Sequence, residues 1–371
     1  MDELDDNLLL LTSNFLLIDD DVDFLGAKLI AYDQMMVYER LKENEVNTIP
    51  GLRRNMENFS QYNILRMQSY FSDKVKDIIK KGRYEYKLEK KADNWVFREA
   101  MYCRTKIRDI KDSRLEGMNP FEQQRPFIRI ENLYSSDCKT QIPLIKLDES
   151  TDLIKQQCKK EYPSFLNIDG HYALKVVMKG NGILSKDAIC IRLSSLGGTD
   201  GYADYVVKTN FDGWKELILS DLDNAEYPDL KFQGMDDQLY KIHRFSTNYT
   251  RISSLQIYTA GECNGVRIKS IEAVPLTPNA LVNPSVVMGN NSITFLDSLQ
   301  SGEFVEYQVG NETATIYDSI GNARNTMVER EGRFLVSNGK FSVFVHGIPE
   351  LRNAPSEVVL TFGFYGDYIA N

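Results

Sequence analysis

Groups that perform acid–base or metal chemistry are scarce in this sequence, apart from carboxylates. Its 371 residues hold three histidines and five cysteines, against 53 Asp and Glu residues. No histidine lies in an HExxH pattern or beside a nucleophile motif, and no glycine-rich phosphate loop precedes a helical pattern. With so many carboxylates, some pair always has a spacing that suits glycoside hydrolysis, so spacing alone identifies no acid and base. The sequence predicts no catalytic residue, no cofactor and no metal site of a standard form.

The side chains best suited to bind a ligand follow the segment "NFDGWKELIL", in the acidic and aromatic stretch from Ser220 to Tyr240. Carboxylates and amides hydrogen-bond to sugar hydroxyls, and tyrosine rings stack on the apolar face of a sugar. We therefore predict sugar contacts in this stretch, with one further ring outside it. The candidate contacts are Asp223, Asn224, Glu226, Tyr227, Tyr240 and Tyr202.

Two other interpretations of this stretch stay open. Asp223, Asn224 and Glu226 carry hard oxygen ligands that could hold a structural calcium ion, although their spacing lacks the EF-hand form. A solvated acidic loop that binds nothing is the other interpretation. If the stretch does bind sugar, Tyr227 is the best stacking ring, because Pro228 restrains the residue before it to an extended backbone.

Trp214 is one of two tryptophans and also has two interpretations. Its ring can serve as a platform for a sugar. Alternatively, Asp212 and Gly213 turn the chain and the ring closes the end of a sheet, with Leu217 and Leu219 following it into the core. The parity of Trp214 within the strand leaves both interpretations open. The second interpretation predicts a buried ring whose removal costs on the order of 3–5 kcal/mol of stability.

The elements that position these residues begin with a helical region, predicted for residues 1–120. Apolar residues from Val22 to Met36 recur at three- and four-residue steps, and the same spacing is expected to continue to about residue 115. A break at residues 49–51 precedes a second helix, predicted from Leu52 to Lys81 with Gly82 as its C-cap. We expect the two helices to form an antiparallel hairpin. This region is alternatively the end of a larger upstream domain.

From Asn119 onward, apolar residues alternate with polar ones, as in "RPFIRIENL", and glycine-rich turns separate short segments. This pattern predicts β-strands and no long helix between Arg125 and Leu276. Three prolines in "VPLTPNALVNP" mark a second joint. We therefore expect a β-sandwich over residues 121–277 and a small Ig-like β-sandwich over residues 278–371.

Three segments of the middle region, "HYALKVVMKGNG", "NFDGWKELIL" and "RISSLQIYTAGECNGVRIKSIEAVPL", follow a recurring strand pattern. By these segments, residues 125–277 resemble the galactose-binding-like β-sandwich of carbohydrate-binding modules. By "SGEFVEYQ" and "ATIYDSIGN", residues 283–371 resemble the small β-domain that follows such modules in large polysaccharide-active bacterial proteins. The resemblance implies a jelly-roll fold and a poly- or oligosaccharide partner. It also favours the structural interpretation of Trp214, because this tryptophan belongs to the recurring strand pattern and not to a variable loop.

Charge and composition narrow the class of partner. The net charge of −9 and the pI of about 5.1 argue against a nucleic-acid binder, which needs a basic face. The stretch "NLLLLTSNFLLI" is too short and too polar at its centre to insert into a membrane. The acidic N-terminus "MDELDDN" has no signal-peptide character. We expect an extracellular or cell-surface location if the chain belongs to a longer secreted protein, with cytoplasmic and virion-associated locations left open.

The sequence thus predicts a multidomain protein, helical at first and all-β afterwards. Its predicted function is non-catalytic carbohydrate binding, as accessory modules of a polysaccharide-active or cell-surface bacterial protein with an upstream catalytic domain or assembly partner. The first alternative is a structural or spacer protein, for example in a phage tail or surface assembly. The second alternative is a fragment or subunit of a glycoside hydrolase or lyase.

Overall fold

The computed structural model describes residues 19–35, 43–111, 114–136, 140–183, 187–196, 201–220 and 239–369. Within these ranges the chain is predominantly antiparallel β-sheet, with a few helices near its start. From residue 125 onward, the described helix content is a single 3-10 turn at Leu153–Lys155. The prediction that the chain is almost wholly β after residue 125, with helix confined to the first 120 residues, is therefore confirmed over the described residues.

Four α-helices lie in the described residues before residue 85: α1 (Asp19–Tyr32), α2 (Glu43–Thr48), α3 (Pro50–Met67) and α4 (Asp73–Lys81). Pro50 suits the first turn of α3, where a missing N–H leaves no hydrogen bond unmade. The single helix predicted from Leu52 to Lys81 is wrong, because Ser69 takes a left-handed φ of 49° just after α3 ends. Ser72 then precedes α4 in an extended conformation. None of the described helices is long and apolar enough to cross a membrane.

Gly82 is the C-cap of α4, as predicted, but its φ of −66° is not left-handed. A Cβ at this position would collide with the hydroxyl of Tyr86, which donates a hydrogen bond to the carbonyl oxygen of Ile78 at 3.3 Å. The glycine is therefore required by the close approach of the following strand to α4.

The sequence predicts helical structure to about residue 115, and this prediction is wrong, because the last α-helix in the described residues ends at Lys81. Residues 85–119 instead contribute three strands, β1 (Glu85–Lys91), β2 (Asn94–Ile107) and β3 (Arg114–Asn119). β1 and β2 form a hairpin in which Leu88 lies opposite Phe97. Its turn uses Ala92, with a φ of 52°, where hairpins usually place Gly or Asn. The usual sequence signal of a hairpin is therefore missing.

The strands that pair with β1–β3, and their neighbours, come from before and after residues 140–275 in the sequence. They are β4 (Phe127–Asn132), β5 (Ser135–Ser136), β15 (Leu276–Thr277), β16 (Leu281–Met288), β17 (Asn291–Phe295), β18 (Ser298–Leu299), β19 (Phe304–Gln308), β20 (Ala314–Tyr317), β21 (Ala323–Val328), β22 (Arg330–Arg333), β23 (Gly339–Pro349) and β24 (Val358–Ile369). Together with the helices and β1–β3 they form what we call the base, the described residues of 19–136 and 276–369.

The base is built on two sheets. One has the strand order β1-β2-β24-β4-β19-β20-β21, and the other has the order β22-β17-β16-β23-β3, with β18 beside β16. Apolar side chains of both sheets, such as Phe362 and Val343, form one buried core. Since β24 lies between β2 and β4, and β3 pairs with β23, strands from before and after residue 120 share both sheets.

Tyr62 of α3 joins the helices to the seven-stranded sheet. Its ring packs directly against Gly26 of α1, where a Cβ would collide with it. Its hydroxyl donates to Asp23 Oδ1 at 2.5 Å and accepts the N–H of Leu88 at 3.2 Å. Phe97 of β2 lies in the same buried cluster, so the helices and this sheet share one core.

The middle segment, residues 140–275, forms a separate β-sandwich that we call the insert. Its strands are β6 (Ile142–Lys146), β7 (Lys159–Leu166), β8 (Ala173–Lys179), β9 (Ala188–Ser195), β10 (Gly201–Lys208), β11 (Trp214–Leu219), β12 (Tyr240–Phe245), β13 (Ile252–Ala260) and β14 (Arg267–Val274). They make a five-stranded sheet, β12-β10-β9-β13-β7, and a four-stranded sheet, β11-β8-β14-β6. Both sheets contribute to a single buried core that contains Ile191, Tyr205, Val176 and Leu217.

A short neck connects the insert to the base. In it, β5 and β15 pair antiparallel, with Ser136 opposite Leu276 and Ser135 opposite Thr277. The buried carboxylate of Glu357 accepts the N–H of Ser136 at 3.0 Å and its hydroxyl at 2.6 Å. Its other oxygen lies 3.7 Å from Lys106 Nζ and 3.4 Å from Arg108 NH1. The two chain crossings are therefore adjacent and fixed by a buried charge cluster.

We expect the base to fold without the insert. Replacing residues 137–275 by a short Gly-Ser linker keeps β5 and β15 about 5 Å apart, and the described cores of the base contain no insert residue. The shortened protein should retain a cooperative thermal transition, measured by circular dichroism. The control is a chain that begins at residue 121; it loses β1–β3 and should not fold. A folded control beside an unfolded shortened protein contradicts the strand pairing given above.

Candidate functional site

The two sheets of the insert differ in what covers their outer faces. On the four-stranded sheet, Ile218 and Val274 point away from the insert's core and are nonetheless buried. Arg108 of the base donates a hydrogen bond at 2.9 Å to the carbonyl oxygen of Glu216 in the same sheet. The four-stranded sheet therefore faces the base. The outer face of the five-stranded sheet carries the exposed aromatic residues, and we call it the open face.

Strand register aligns the outward side chains of the open face in rows. One row crosses all five strands, and the next row begins with two aromatic rings. The first row is His243, Asp204, Arg192, Gln256 and Lys159; the second is Phe245, Tyr202, Ser194, Ser254 and Glu161. Since alternate residues of each strand point into the buried core, these positions point outward.

Three aromatic side chains and one guanidinium make a continuous strip across this face. Tyr202 stacks on Phe245 with the ring centroids 5.9 Å apart. The guanidinium carbon of Arg192 lies 4.4 Å from the centroid of Tyr202 and 5.7 Å from that of Tyr258. The exposed fractions are 36% for Tyr202, 56% for Phe245 and 41% for Tyr258. We call these four side chains the aromatic strip.

Asp204 holds Arg192 in place within the strip. Arg192 Nε donates to Asp204 Oδ1 at 2.7 Å, and Arg192 NH2 donates to Oδ2 at 2.6 Å. These bonds raise the pKa of the Arg192 guanidinium above its ordinary value. A bidentate pair fixes the plane of the guanidinium as well as its position. The strip is therefore ordered by its own side chains.

The thiol next to this ion pair is not a nucleophile at neutral pH. Burial, aided by the negative charge of Asp204, raises the pKa of Cys190 to about 11. The thiolate is the reactive form of cysteine, and this shift keeps the group protonated. Within the described residues, no group of three or more His, Cys, Asp or Glu side chains is arranged to hold a metal ion.

Three of the predicted site residues, Tyr202, Trp214 and Tyr240, lie in the described part of the chain, and they do not come together. Tyr202 lies in the strip. Tyr240, by contrast, is buried on the inner side of β12, and its hydroxyl both donates to the carbonyl oxygen of Ser220 at 2.9 Å and accepts the N–H of Ser220 at 3.0 Å. Its ring and hydroxyl are therefore committed to the core and to Ser220, and its ligand contact stays a prediction. Asp223, Asn224, Glu226 and Tyr227 lie outside the described residues.

The expectation that Trp214 is buried is wrong, because the residue is 46% exposed. Gly213, with a φ of 74°, turns the chain so that Trp214 begins β11, an edge strand of the four-stranded sheet. Leu217 and Leu219 do enter the core, as predicted, and Trp214 has the opposite parity to Leu217 and Leu219. Trp214 and Tyr202 therefore belong to different sheets and cannot form one platform on a common sheet face.

Sequence reasoning missed Arg192, Asp204, Phe245 and Tyr258. The signal for Arg192 was present: since Ile189, Ile191 and Leu193 share the inner face of β9, Cys190 and Arg192 must point outward. Which residue of β10 lies opposite Arg192 depends on the strand register, which residue types alone do not fix.

Comparisons with known proteins identify no relative that informs this site. No protein-family model and no curated protein matches the chain. Two solved structures of PNGF-II, in space groups P21 and C2, align over 81% and 80% of this chain and 70% and 68% of theirs. They share 11% and 9% sequence identity with it, at TM-scores of 0.13 and 0.09, and a likeness this weak carries no argument about fold or function.

We expect Tyr240→Phe to lower the free energy of unfolding by about 1–3 kcal/mol, because the change removes a buried hydroxyl that bonds to two backbone groups. Tyr258→Phe is the matched control. Its hydroxyl donates to the side chain of Gln256 at the exposed surface, and its loss should change stability by less than about 0.5 kcal/mol. Urea unfolding of both variants measures the difference. Equal effects would mean that the bonds of the Tyr240 hydroxyl to Ser220 do not stabilise the fold.

Proposed function

We propose that the insert is a non-catalytic carbohydrate-binding module that binds its ligand on the open face. The observation that carries the proposal is the aromatic strip, in which exposed tyrosine and phenylalanine rings stand beside hydrogen-bonding groups on a regular sheet. In finer terms, we propose that the insert is a galactose-binding-like jelly roll and that the base includes an Ig-like sandwich.

A sugar ring presents an apolar face of C–H groups and an edge of hydroxyls, and the open face can satisfy both. The exposed parts of Tyr202 and Tyr258 offer apolar ring surface at low entropic cost. Between and beside them, Gln256 and Ser194 supply donors and acceptors for hydroxyls. The strip is ordered by the Arg192–Asp204 pair before a ligand arrives, and such preorganisation reduces the cost of binding.

The carboxylates of the open face suit binding better than acid catalysis. Asp204 is committed to Arg192, and Glu161 lies 2.8 Å from Lys159. The hydrogen bond from Lys159 lowers the pKa of Glu161 below its ordinary value. A general acid in a glycosidase needs a raised carboxyl pKa, so neither group fits that role well. The glycoside hydrolase or lyase alternative therefore has no supporting observation on this face.

Loss of one stacking ring should weaken binding by about 1–3 kcal/mol, by analogy with base–aromatic stacking. The first step is a glycan array probed with the full chain, which selects an oligosaccharide. Isothermal titration calorimetry then compares wild type with Tyr202→Ala and Tyr258→Ala. The matched control is Trp214→Ala, which removes an exposed ring from the other sheet of the insert.

We expect Trp214→Ala to bind as wild type does. If Trp214→Ala loses binding and both tyrosine variants retain it, the ligand lies on the four-stranded sheet instead. If no glycan on the array binds the full chain, the proposed function is wrong. Thermal unfolding of each variant shows whether lost binding reflects lost structure.

A second candidate function, assembly with further subunits, is favoured by the smaller sheet of the base. Phe344 and Ile348 point outward from β23 and are 42% and 55% exposed. Val282 of β16 lies opposite Ile348 and is 37% exposed. Several exposed apolar side chains on one sheet face favour a protein interface there. This face belongs to the base, so assembly and sugar binding by the insert are compatible.

If this face mediates self-assembly, the molar mass from light scattering should rise above 42.6 kDa with concentration. The double variant Phe344→Glu, Ile348→Glu should return it to the monomer value, because like charges oppose burial of the patch. The control is Met327→Glu, which replaces an exposed methionine of the other sheet by one negatively charged glutamate. A wild-type mass that stays at the monomer value at every concentration rules out self-assembly.

A further inference from the structure

The charges on the open face indicate what kind of sugar it takes, an argument that rests on the function proposed above. We infer that the open face selects uncharged glycan chains, and that Asp204 sets this selectivity by occupying the guanidinium of Arg192. The ligand class is then a neutral polysaccharide, and uronate-rich polysaccharides are excluded.

Arg192 is the group of the aromatic strip that would otherwise bind an anionic sugar. The guanidinium fork matches the geometry of a carboxylate and pairs with it through two parallel hydrogen bonds. In the structure, Nε and NH2 of Arg192 already donate to the two oxygens of Asp204. A uronate would have to displace Asp204 or lie beside its negative charge, and both options cost free energy.

The other described charges of the open face lie on its two edge strands. In the outer strand β7, Lys159 and Glu161 form an ion pair at 2.8 Å. At the opposite edge, Lys241 and His243 point outward from β12, with Asp204 as the cross-strand neighbour of His243, while Arg244 has the opposite parity in that strand. The centre of the face therefore holds one cation and one anion that neutralise each other. A face of this kind rewards stacking and hydroxyl contacts more than it rewards ligand charge.

The length of the strip indicates a chain of sugars instead of a single ring. Tyr202 and Tyr258 lie two strands apart and are offset by four residues along the sheet, since Tyr202 is opposite Ser194 and Tyr258 is opposite Cys190. With strands about 4.8 Å apart and a rise of about 3.4 Å per residue, the two Cα atoms are about 17 Å apart. Phe245 extends the strip beyond Tyr202. The ligand should therefore run diagonally across the strands.

Affinity electrophoresis of the full chain tests this inference, with native gels that contain xylan, β-glucan or galactomannan as neutral ligands and polygalacturonate as the anionic ligand. We expect wild type to be retarded by at least one neutral polysaccharide and not by polygalacturonate. Asp204→Asn removes the negative charge and frees the guanidinium. The ratio of its affinity for polygalacturonate to its affinity for the neutral ligand should rise by about tenfold, as charge-pair recognition allows.

Two control variants separate release of Arg192 from a general change of charge. Glu216→Gln makes the same charge change on the other sheet, where Glu216 pairs with Lys175 at 3.3 Å, and should not raise the affinity for polygalacturonate. The double variant Asp204→Asn, Arg192→Gln should lose the gain, because the freed guanidinium is gone. The gain should also weaken at high salt. Thermal unfolding confirms that each variant is folded, and Asp204→Ser serves if Asp204→Asn does not fold.

The outcomes distinguish the inference from the function on which it rests. Tighter binding of wild type to polygalacturonate than to every neutral polysaccharide overturns the inference and leaves carbohydrate binding intact. A folded Asp204→Asn or Asp204→Ser that gains no affinity for polygalacturonate also overturns it, as does an equal gain in Glu216→Gln. If wild type is retarded by no polysaccharide, the proposed function fails together with the inference.

Discussion

The position of the insert on the base depends on the interactions of one buried carboxylate, that of Glu357. Its side chain is 1% exposed and that of Lys106 is 2% exposed, so both charges depend on their partners for stability. Through Ser136, Glu357 holds one strand of the neck, and through Arg108 it reaches the carbonyl oxygen of Glu216 in the insert. This cluster turns the four-stranded sheet of the insert towards the base. The orientation of the open face is a consequence of that attachment.

A candidate site on a sheet differs physically from one on a loop. The inner side chains of β9 and β10, such as Ile191 and Tyr205, are committed to the core, and they hold the strands on which Arg192 and Tyr202 stand. The side chains of the strip are further held by stacking and by the ion pair with Asp204. Little conformational entropy is then lost when a ligand binds. A regular sheet also limits the site to a flat or gently twisted ligand surface.

Much of the fold follows from local patterns, and the site does not. Two-residue alternation correctly predicted that the chain is almost wholly β after residue 125, and the helical stripe that begins at Val22 correctly predicted the first helix. The hairpin of β1 and β2 was missed because its charged residues obscure the alternation and Ala92 takes a position usually filled by Gly. The pairing of Arg192 with Asp204 depends on register across an eight-residue strand pair, which no local pattern encodes. Trp214 shows the limit of a motif, since its turn was recognised while the side to which the ring points was not.

The central claim is that the ligand binds on the open face and on no other surface. A crystal structure of the full chain with the neutral oligosaccharide selected by the glycan array tests this claim most directly. The account predicts sugar density that runs diagonally over β10, β9 and β13, with rings stacked on Tyr202 and Tyr258 and hydroxyls near Gln256. Density on the four-stranded sheet beside Trp214, or at the neck, with the open face empty in the same crystal, would contradict it.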